Sequence, residues 1–237
     1  LPSRSAVFAN ASFGRQIEPR SSVGTTLAAD EPVSFDLAQA RVGADLALGA
    51  LTVRPALSWE QTDYADVALT GGGSADMSFR DARRIGGDLA LGYQLSGLVS
   101  TFTEVSYTAS KSLNALAGAE RDADDWSVIA GVRGEVTPLV SAEVAVGYRN
   151  RNYDLARYRD FAGFTYRADV EWYATPLVTF RLQASQSFLN SGNSQVAGIL
   201  QNRIGLTGYY DPLRNLRLSA TATYERNAFR DTDTRTS

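Results

Sequence analysis

The sequence predicts an all-β fold, a transmembrane antiparallel up-and-down β-barrel of the outer-membrane type. Three observations predict it. Apolar and polar residues alternate with a period of two along segments of about 10 to 14 residues. The links between those segments alternate short and long. Aromatic residues gather near the segment ends, where amphipathic rings favour a membrane interface.

The elements come in order. A first strand runs from Ala6 to Arg15. In the next, Val42, Ala44, Leu46 and Leu48 oppose Arg41, Gly43 and Asp45; past a turn at Gly49-Ala50, Leu51, Val53, Leu57 and Trp59 oppose Thr52, Arg54, Ser58 and Glu60. Ile85, Leu89, Leu91, Tyr93 and Leu95 oppose Arg84, Asp88 and Gln94. Beyond Ser96-Gly97, Val99, Val105 and Tyr107 oppose Glu104, Ser106 and Thr108. Trp126, Val128, Ala130, Val132 and Val136 oppose Ser127, Ile129, Gly131, Arg133 and Glu135. After Thr137-Pro138-Leu139, Val140, Ala142, Val144, Val146 and Tyr148 oppose Glu143, Ala145, Gly147, Arg149 and Arg151. Phe164, Tyr166, Val170 and Trp172 oppose Arg167, Asp169 and Glu171; past Thr175-Pro176-Leu177, Val178, Phe180, Leu182 and Phe188 oppose Arg181, Gln183 and Ser185. Ile204 and Leu206 oppose Arg203 and Thr207; after a turn at Asp211-Pro212, Leu216, Leu218 and Tyr224 oppose Arg217, Thr221 and Glu225. About eleven strands result. Longer polar links fall at residues 17–31, 65–79, 113–123, 155–162 and 190–195.

Bulk composition conceals this pattern. Of 237 residues, 44% are hydrophobic and 21% charged, and mean hydropathy is −0.19, the figures of an ordinary soluble chain. No run approaches the roughly 18 apolar residues of a membrane helix. Alternation explains the discrepancy, because one oily face averages out against one polar face. A soluble β-sandwich also alternates, but its strands are shorter, and this chain offers no second layer to cover the apolar face. No linker or composition shift divides residues 1–237, so one barrel domain is expected. The last residues, Thr232 to Ser237, lack the closing aromatic strand of a complete barrel, and an odd strand count cannot close one. Further strands are therefore expected beyond Ser237. Leu1-Pro2-Ser3-Arg4 is no signal peptide, so an export signal is expected to be missing from this chain.

Function classes narrow by elimination. The chain has no histidine and no cysteine, which removes the usual nucleophile pairs and zinc sites. A net charge of −3 offers no footprint for nucleic acid. Neither an enzyme, a metal site nor a cofactor is expected. Asp122, Asp124, Asp125, Asp154 and Asp160 could supply oxygen ligands to Ca²⁺, yet their spacing matches no EF-hand loop and solvated loop acids account for them. Gly71-Gly72-Gly73-Ser74 lacks the lysine of a phosphate loop and reads as a flexible surface loop.

The candidate lumen residues are Arg133, Glu135, Glu143, Arg149, Arg151, Arg167, Asp169, Glu171, Arg181, Arg203, Arg217 and Glu225. Their arginines form either a cationic ladder for an acidic sugar or other anion, or one half of a mutually neutralised wall. Small inward residues, Gly43, Gly86, Ala90, Ala145, Gly147 and Gly205, are expected to leave room for water. Trp59, Tyr93, Tyr107, Trp126, Tyr148, Trp172, Tyr210 and Tyr224 are the candidate membrane-interface aromatics, with Tyr64 and Tyr153 placed near the long-link girdle as well.

A run of phrases carries a family resemblance. It includes Arg121-Asp122-Ala123-Asp124-Asp125-Trp126, Ala130-Gly131-Val132-Arg133 and Leu139-Val140-Ser141. Further phrases are Gly147-Tyr148-Arg149-Asn150-Arg151-Asn152-Tyr153-Asp154, Phe161-Ala162-Gly163-Phe164-Thr165-Tyr166, Thr175-Pro176-Leu177, Arg214-Asn215-Leu216 and Tyr224-Glu225-Arg226-Asn227-Ala228-Phe229. The stretch from Arg121 to Phe229 resembles the putative β-barrel porin 2 family of mainly alphaproteobacterial outer-membrane proteins. The resemblance implies a Gram-negative outer-membrane barrel, a link to surface polysaccharide export, and no catalytic residues. Taken with the residues, it leads to an expected passive channel for polar solutes, with saccharide or exopolysaccharide as candidate cargo. The alternatives are a docking barrel in an envelope assembly, or a surface adhesin or receptor. Lipid bilayer and lipopolysaccharide are the expected partners, with polysaccharide or other envelope proteins as further candidates.

Overall fold

The computed structural model describes residues 5–18, 30–115, 120–189 and 196–231. Eleven long strands form one sheet in which sequence neighbours are spatial neighbours. They are β1 (Ala6–Ile17), β2 (Ser34–Leu48), β3 (Leu51–Tyr64), β6 (Ala82–Gln94), β7 (Val99–Ser112) and β8 (Ala123–Thr137), followed by β9 (Val140–Tyr153), β10 (Phe161–Thr175), β11 (Val178–Leu189), β12 (Val196–Leu213) and β13 (Leu216–Asp231). Two short strands, β4 (Val67–Ala68) and β5 (Ser74–Ala75), form a separate hairpin between β3 and β6. Every pairing is antiparallel, as hairpin connections dictate. The sheet is open, with β1 and β13 at its edges.

The short turns have local causes. Gly49 takes φ +66, the left-handed conformation that a two-residue hairpin turn requires. Thr-Pro-Leu supplies two others. The Thr137 hydroxyl accepts the Leu139 N–H at 3.3 Å, and the Thr175 hydroxyl accepts the Leu177 N–H at 3.2 Å, while proline presets the backbone between them. The turn expected at Asp211-Pro212 forms three residues later, at Arg214-Asn215. Pro212 lies instead where the β12–β13 register shifts, an irregularity that tolerates its missing N–H.

No continuous core lies between layers, because there is only one layer. Val7, Phe164 and Val146 are 84%, 80% and 60% exposed, and Leu57, Leu206 and Leu218 are exposed beside them. A water-soluble protein of this size avoids such a contiguous apolar face, whereas acyl chains solvate it. Single residues such as Thr52, Ala56, Phe102 and Ala145 are buried along the sheet, but buried clusters form at the long-link end, where Val33, Val67 and Met77 make one and Ala123, Tyr153 and Tyr158 another.

Those clusters add packing to the link expected at 65–79, whose glycine tip stays exposed at the surface. Gly71-Gly72-Gly73 is the tip of the β4–β5 hairpin, closed by the Leu69 N–H to Gly73 carbonyl bond at 3.1 Å. The segment around it is anchored: Met77 is 2% exposed, and Phe79 and Tyr64 pack against its cluster. The predicted link at 190–195 and most of that at 17–31 lie outside the described residues.

Candidate functional site: the concave wall

Antiparallel register puts directly opposed residues on one face, so faces can be followed across the sheet. One row reads Phe102, Gly131, Ala145, Arg167, Ser185, Arg203 and Glu225 from β7 to β13. The next reads Ser100, Arg133, Glu143, Asp169, Gln183, Gly205 and Thr223. All twelve candidate wall residues fall on this polar face, in step with the period-two pattern.

That face is concave. The guanidinium of Arg167 on β10 lies 3.1 Å from the carboxylate of Glu104 on β7, although β8 and β9 run between them. On a flat sheet three strand spacings separate such residues by about 14 Å, too far for their side chains to meet so closely. Curvature brings them together, and Arg41 on β2 likewise reaches Asp88 on β6 across β3, at 3.0 Å.

Each arginine of the set has a carboxylate. Arg133 lies 3.8 Å from Glu143, which also takes Arg167 at 2.9 Å. Arg149 and Arg151 share Asp125 at 3.4 and 3.9 Å. Arg181 donates to Asp169 at 2.9 Å, Arg203 lies 3.3 Å from Glu225, and Arg217 donates to Asp211 at 2.7 Å. Glu171 accepts the Tyr173 hydroxyl at 2.9 Å. Of the two arrangements open from the sequence, the geometry is the neutralised wall. Several counter-ions, Glu104, Asp125 and Asp211, lay outside the candidate set. So did the pairs Arg54–Asp45, Arg84–Glu60 and Arg80–Glu18.

Most of the small residues of this face do not stand over empty space, although Gly205 meets only the Thr223 hydroxyl, at 3.8 Å. The Phe8 ring covers Gly43, where an added Cβ would lie 2.6 Å from it. Ile129 covers Gly147, and Ser58 and Thr108 flank Gly86. Gly131 and Ala145 form the floor beneath the Phe102 ring, which lies 4.2 Å from the Arg133 guanidinium and 5.5 Å from that of Arg167. Glycine here admits a neighbour's side chain rather than water, since a ring lying along the wall needs a site without Cβ. Phe102 was detectable in sequence as an apolar residue out of phase between Ser100 and Glu104.

The eight interface aromatics all fall on the opposite, convex face. Trp126 and Tyr148 have ring centroids 5.9 Å apart, and Trp172 stacks on Phe180 at 5.7 Å. Tyr64 and Tyr153 turn the other way. Tyr64 packs on Phe35 and lies under Arg80, and Tyr153 stacks on Tyr158, so neither belongs to an outer girdle. Beyond the aromatics, toward the long links, the convex face becomes polar. Arg15 pairs with Asp36 at 2.8 Å, Arg83 donates to Gln61 at 3.1 Å, and Lys111 bridges Asp122 and Asp154 at 3.0 and 2.9 Å.

The acids considered for Ca²⁺ already have protein partners. Asp122 accepts the Ser112 N–H, Asp124 the Tyr107 hydroxyl, and Asp160 the Tyr153 N–H. Among the described residues no group of three or more His, Cys, Asp or Glu could hold a metal ion.

An antiparallel sheet with a wet concave face and an oily convex one defines a membrane β-barrel wall. The chain belongs to the family described as "Putative beta-barrel porin 2", whose model matches residues 1–237. This family places the protein in the Gram-negative outer membrane, with a porin-like barrel fold. The ferric enterobactin receptor PfeA of Pseudomonas aeruginosa has the same fold over 97% of this chain, with 14% sequence identity and a TM-score of 0.57. The chain spans about two fifths of that receptor, 41% of its length. The Pseudomonas putida toluene transporter TodX is similar at 12% identity, with 94% of this chain and 78% of TodX covered and a TM-score of 0.43. No curated protein matches the chain.

Proposed function

We propose that the protein is a passive outer-membrane channel for polar solutes, with the concave face as the wall of its lumen. The observation that carries this reading is the segregation of faces. Ion pairs and hydroxyls run from Arg41–Asp88 to Arg203–Glu225 on one side, and exposed Val, Leu and aromatic residues cover the other. Such a wall is hydrophilic without carrying strong selectivity, because its charges are matched. Hydroxyls such as Ser106 and Ser127, 2.7 Å apart, and Thr207 and Thr221, 3.0 Å apart, suit water and sugars. Saccharide cargo, exopolysaccharide included, belongs to this reading.

The second reading is a closed docking barrel within the cell envelope. It draws support from the anchored 65–81 segment and from Phe8, Phe102 and Ile129, which occupy the concave face. Planar-bilayer recordings on the full-length protein separate the two. Ohmic openings in KCl support the channel, and their absence from folded protein supports the docking barrel.

A further inference from the structure

At the short-turn end of the concave face, a cavity of about 100 Å³ lies between β3 and β8, with β6 and β7 beneath it. Register sets Ala90 and Gly92 of β6 opposite Arg54 and Thr52 of β3, and Ser100 of β7 opposite Arg133 of β8. Neither Ala90 nor Gly92 carries a side chain beyond a Cβ, so the space between the two arginines stays open. Elsewhere carboxylates stand among the arginines of the wall. Here no carboxylate is among the described lining residues.

Two independent features point to an anion. The first is a pair of buried hydroxyls. Thr52 is 2% exposed, and its hydroxyl has no hydrogen-bond partner among the described residues, a costly state for a buried polar group. Ser100 is also buried, and its hydroxyl reaches the Arg133 carbonyl only at 3.4 Å, long for such a bond. The second feature is the looseness of Arg133. Its carboxylate, Glu143, stands 3.8 Å away and is held more closely by Arg167, at 2.9 Å. The guanidinium rests instead on the Phe102 ring, at 4.2 Å. Arg54 meets Asp45 through its Nε at 2.5 Å, and that carboxylate lies outside the cavity. Donors from β3, β7 and β8 thus converge from different sides, which suits a tetrahedral oxyanion, and guanidinium forks bind phosphate in bidentate fashion. The volume equals that of roughly three waters, enough for one such ion and far below the roughly 300–1,000 Å³ of drug-sized sites.

We propose that this cavity binds a phosphate group, with Arg54 and Arg133 taking its charge and the Thr52 and Ser100 hydroxyls donating to its oxygens. The proposal rests on the concave face being the solute-facing one. Isothermal titration of the full-length protein in detergent with inorganic phosphate tests it. Arg133→Gln and Thr52→Val should each weaken phosphate about tenfold, since a hydrogen bond to a charged group contributes on that scale. Thr52→Val keeps the shape of the side chain and should leave the unfolding midpoint without phosphate unchanged, because its hydroxyl has no partner to lose. Arg83→Gln removes the same charge from the convex face and should leave phosphate binding as it was. Glycerol 3-phosphate separates two sources of the group: equal affinity identifies the head of a phosphorylated solute, and binding of phosphate alone identifies the free ion. Folded protein that takes up no phosphate at millimolar concentrations overturns the site, as do variants that bind phosphate like the parent. If Arg133→Gln does not fold, Thr52→Val decides alone. Bilayer recordings beside the titration keep this proposal apart from the channel: openings without phosphate binding remove the site only, and binding without openings removes the channel only.

Discussion

Arg167 on β10 and Glu104 on β7 form an ion pair at 3.1 Å over two intervening strands, with Gly131 and Ala145 as the floor beneath them. The pair is half open to solvent, so its direct contribution to stability is small, about 0.2–1 kcal/mol. Its larger effect is on the field along the wall, where Arg167 also balances Glu143.

Arg167→Glu therefore converts a matched cluster into three neighbouring carboxylates with only Arg133 beside them. The expected outcome is a shift toward cation selectivity with the fold retained, read as a changed reversal potential in a KCl gradient. An unchanged potential in an open channel places this cluster away from the ion path.

The convex face makes a stability prediction of opposite character. Val144 is an exposed mid-strand residue of β9. In a bilayer, Val144→Arg should cost about 2–4 kcal/mol, the penalty for arginine at mid-depth on a lipid-facing strand. In water an exposed valine exchanged for arginine changes little. Gln183→Arg on the concave face should stay within about 0.5 kcal/mol. Urea unfolding in lipid vesicles measures both.

Gly134 should be intolerant where Gly14 is not. At φ +143, a Cβ on Gly134 would lie 2.0 Å from the Leu98 carbonyl oxygen, whose neighbouring bond to the Glu135 N–H fixes the β7–β8 register. Gly14 has open space on its Cβ side. Gly134→Ala is expected to destabilise by about 1–3 kcal/mol, and Gly14→Ala by much less.

The anchored segment 65–81 predicts a local effect on permeation. Met77→Ala removes its most buried side chain, at a cost of about 2–5 kcal/mol to that packing. Loosening it should raise single-channel conductance or its noise, with little change in the unfolding midpoint of the sheet. Identical current traces from parent and variant would separate this segment from the pathway.

What the sequence disclosed follows from what a period of two can encode. It tells which side of the sheet a residue takes, so the faces of Arg133, Glu143, Arg181, Trp126 and Tyr148 were all legible. Thr-Pro-Leu likewise carries its own turn chemistry, and two of the three proline turns fall where expected. Curvature is not encoded that way. Nothing local announces that Arg167 meets Glu104 rather than a residue of the adjacent strand, because the contact depends on how the whole sheet bends. The same blindness made Gly43 and Gly147 look like room for water, when each accepts a side chain from the neighbouring strand. Tyr64 and Tyr153 were grouped with the girdle by their height along the strand, though their phase places them on the concave side. The segment 65–79 was read as a polar link with a glycine loop at 71–74, while the apolar residues that anchor it, Val67, Met77 and Phe79, are too few and too irregular to show a period.

Two-sidedness of the strands is the central claim, and the chain offers a clean way to measure it, because it contains no native cysteine. Single cysteines placed one at a time from Val140 to Tyr148 in the full-length protein, reconstituted in vesicles, can be probed with a water-borne thiol reagent and with a lipid-borne quencher. Strict alternation is predicted at the uncovered positions: 141 and 143 respond to the aqueous probe and 140, 142, 144, 146 and 148 to the lipid probe, while 145 and 147, covered by Phe102 and Ile129, respond to neither. Uniform reactivity toward the aqueous reagent along β9 would contradict the account.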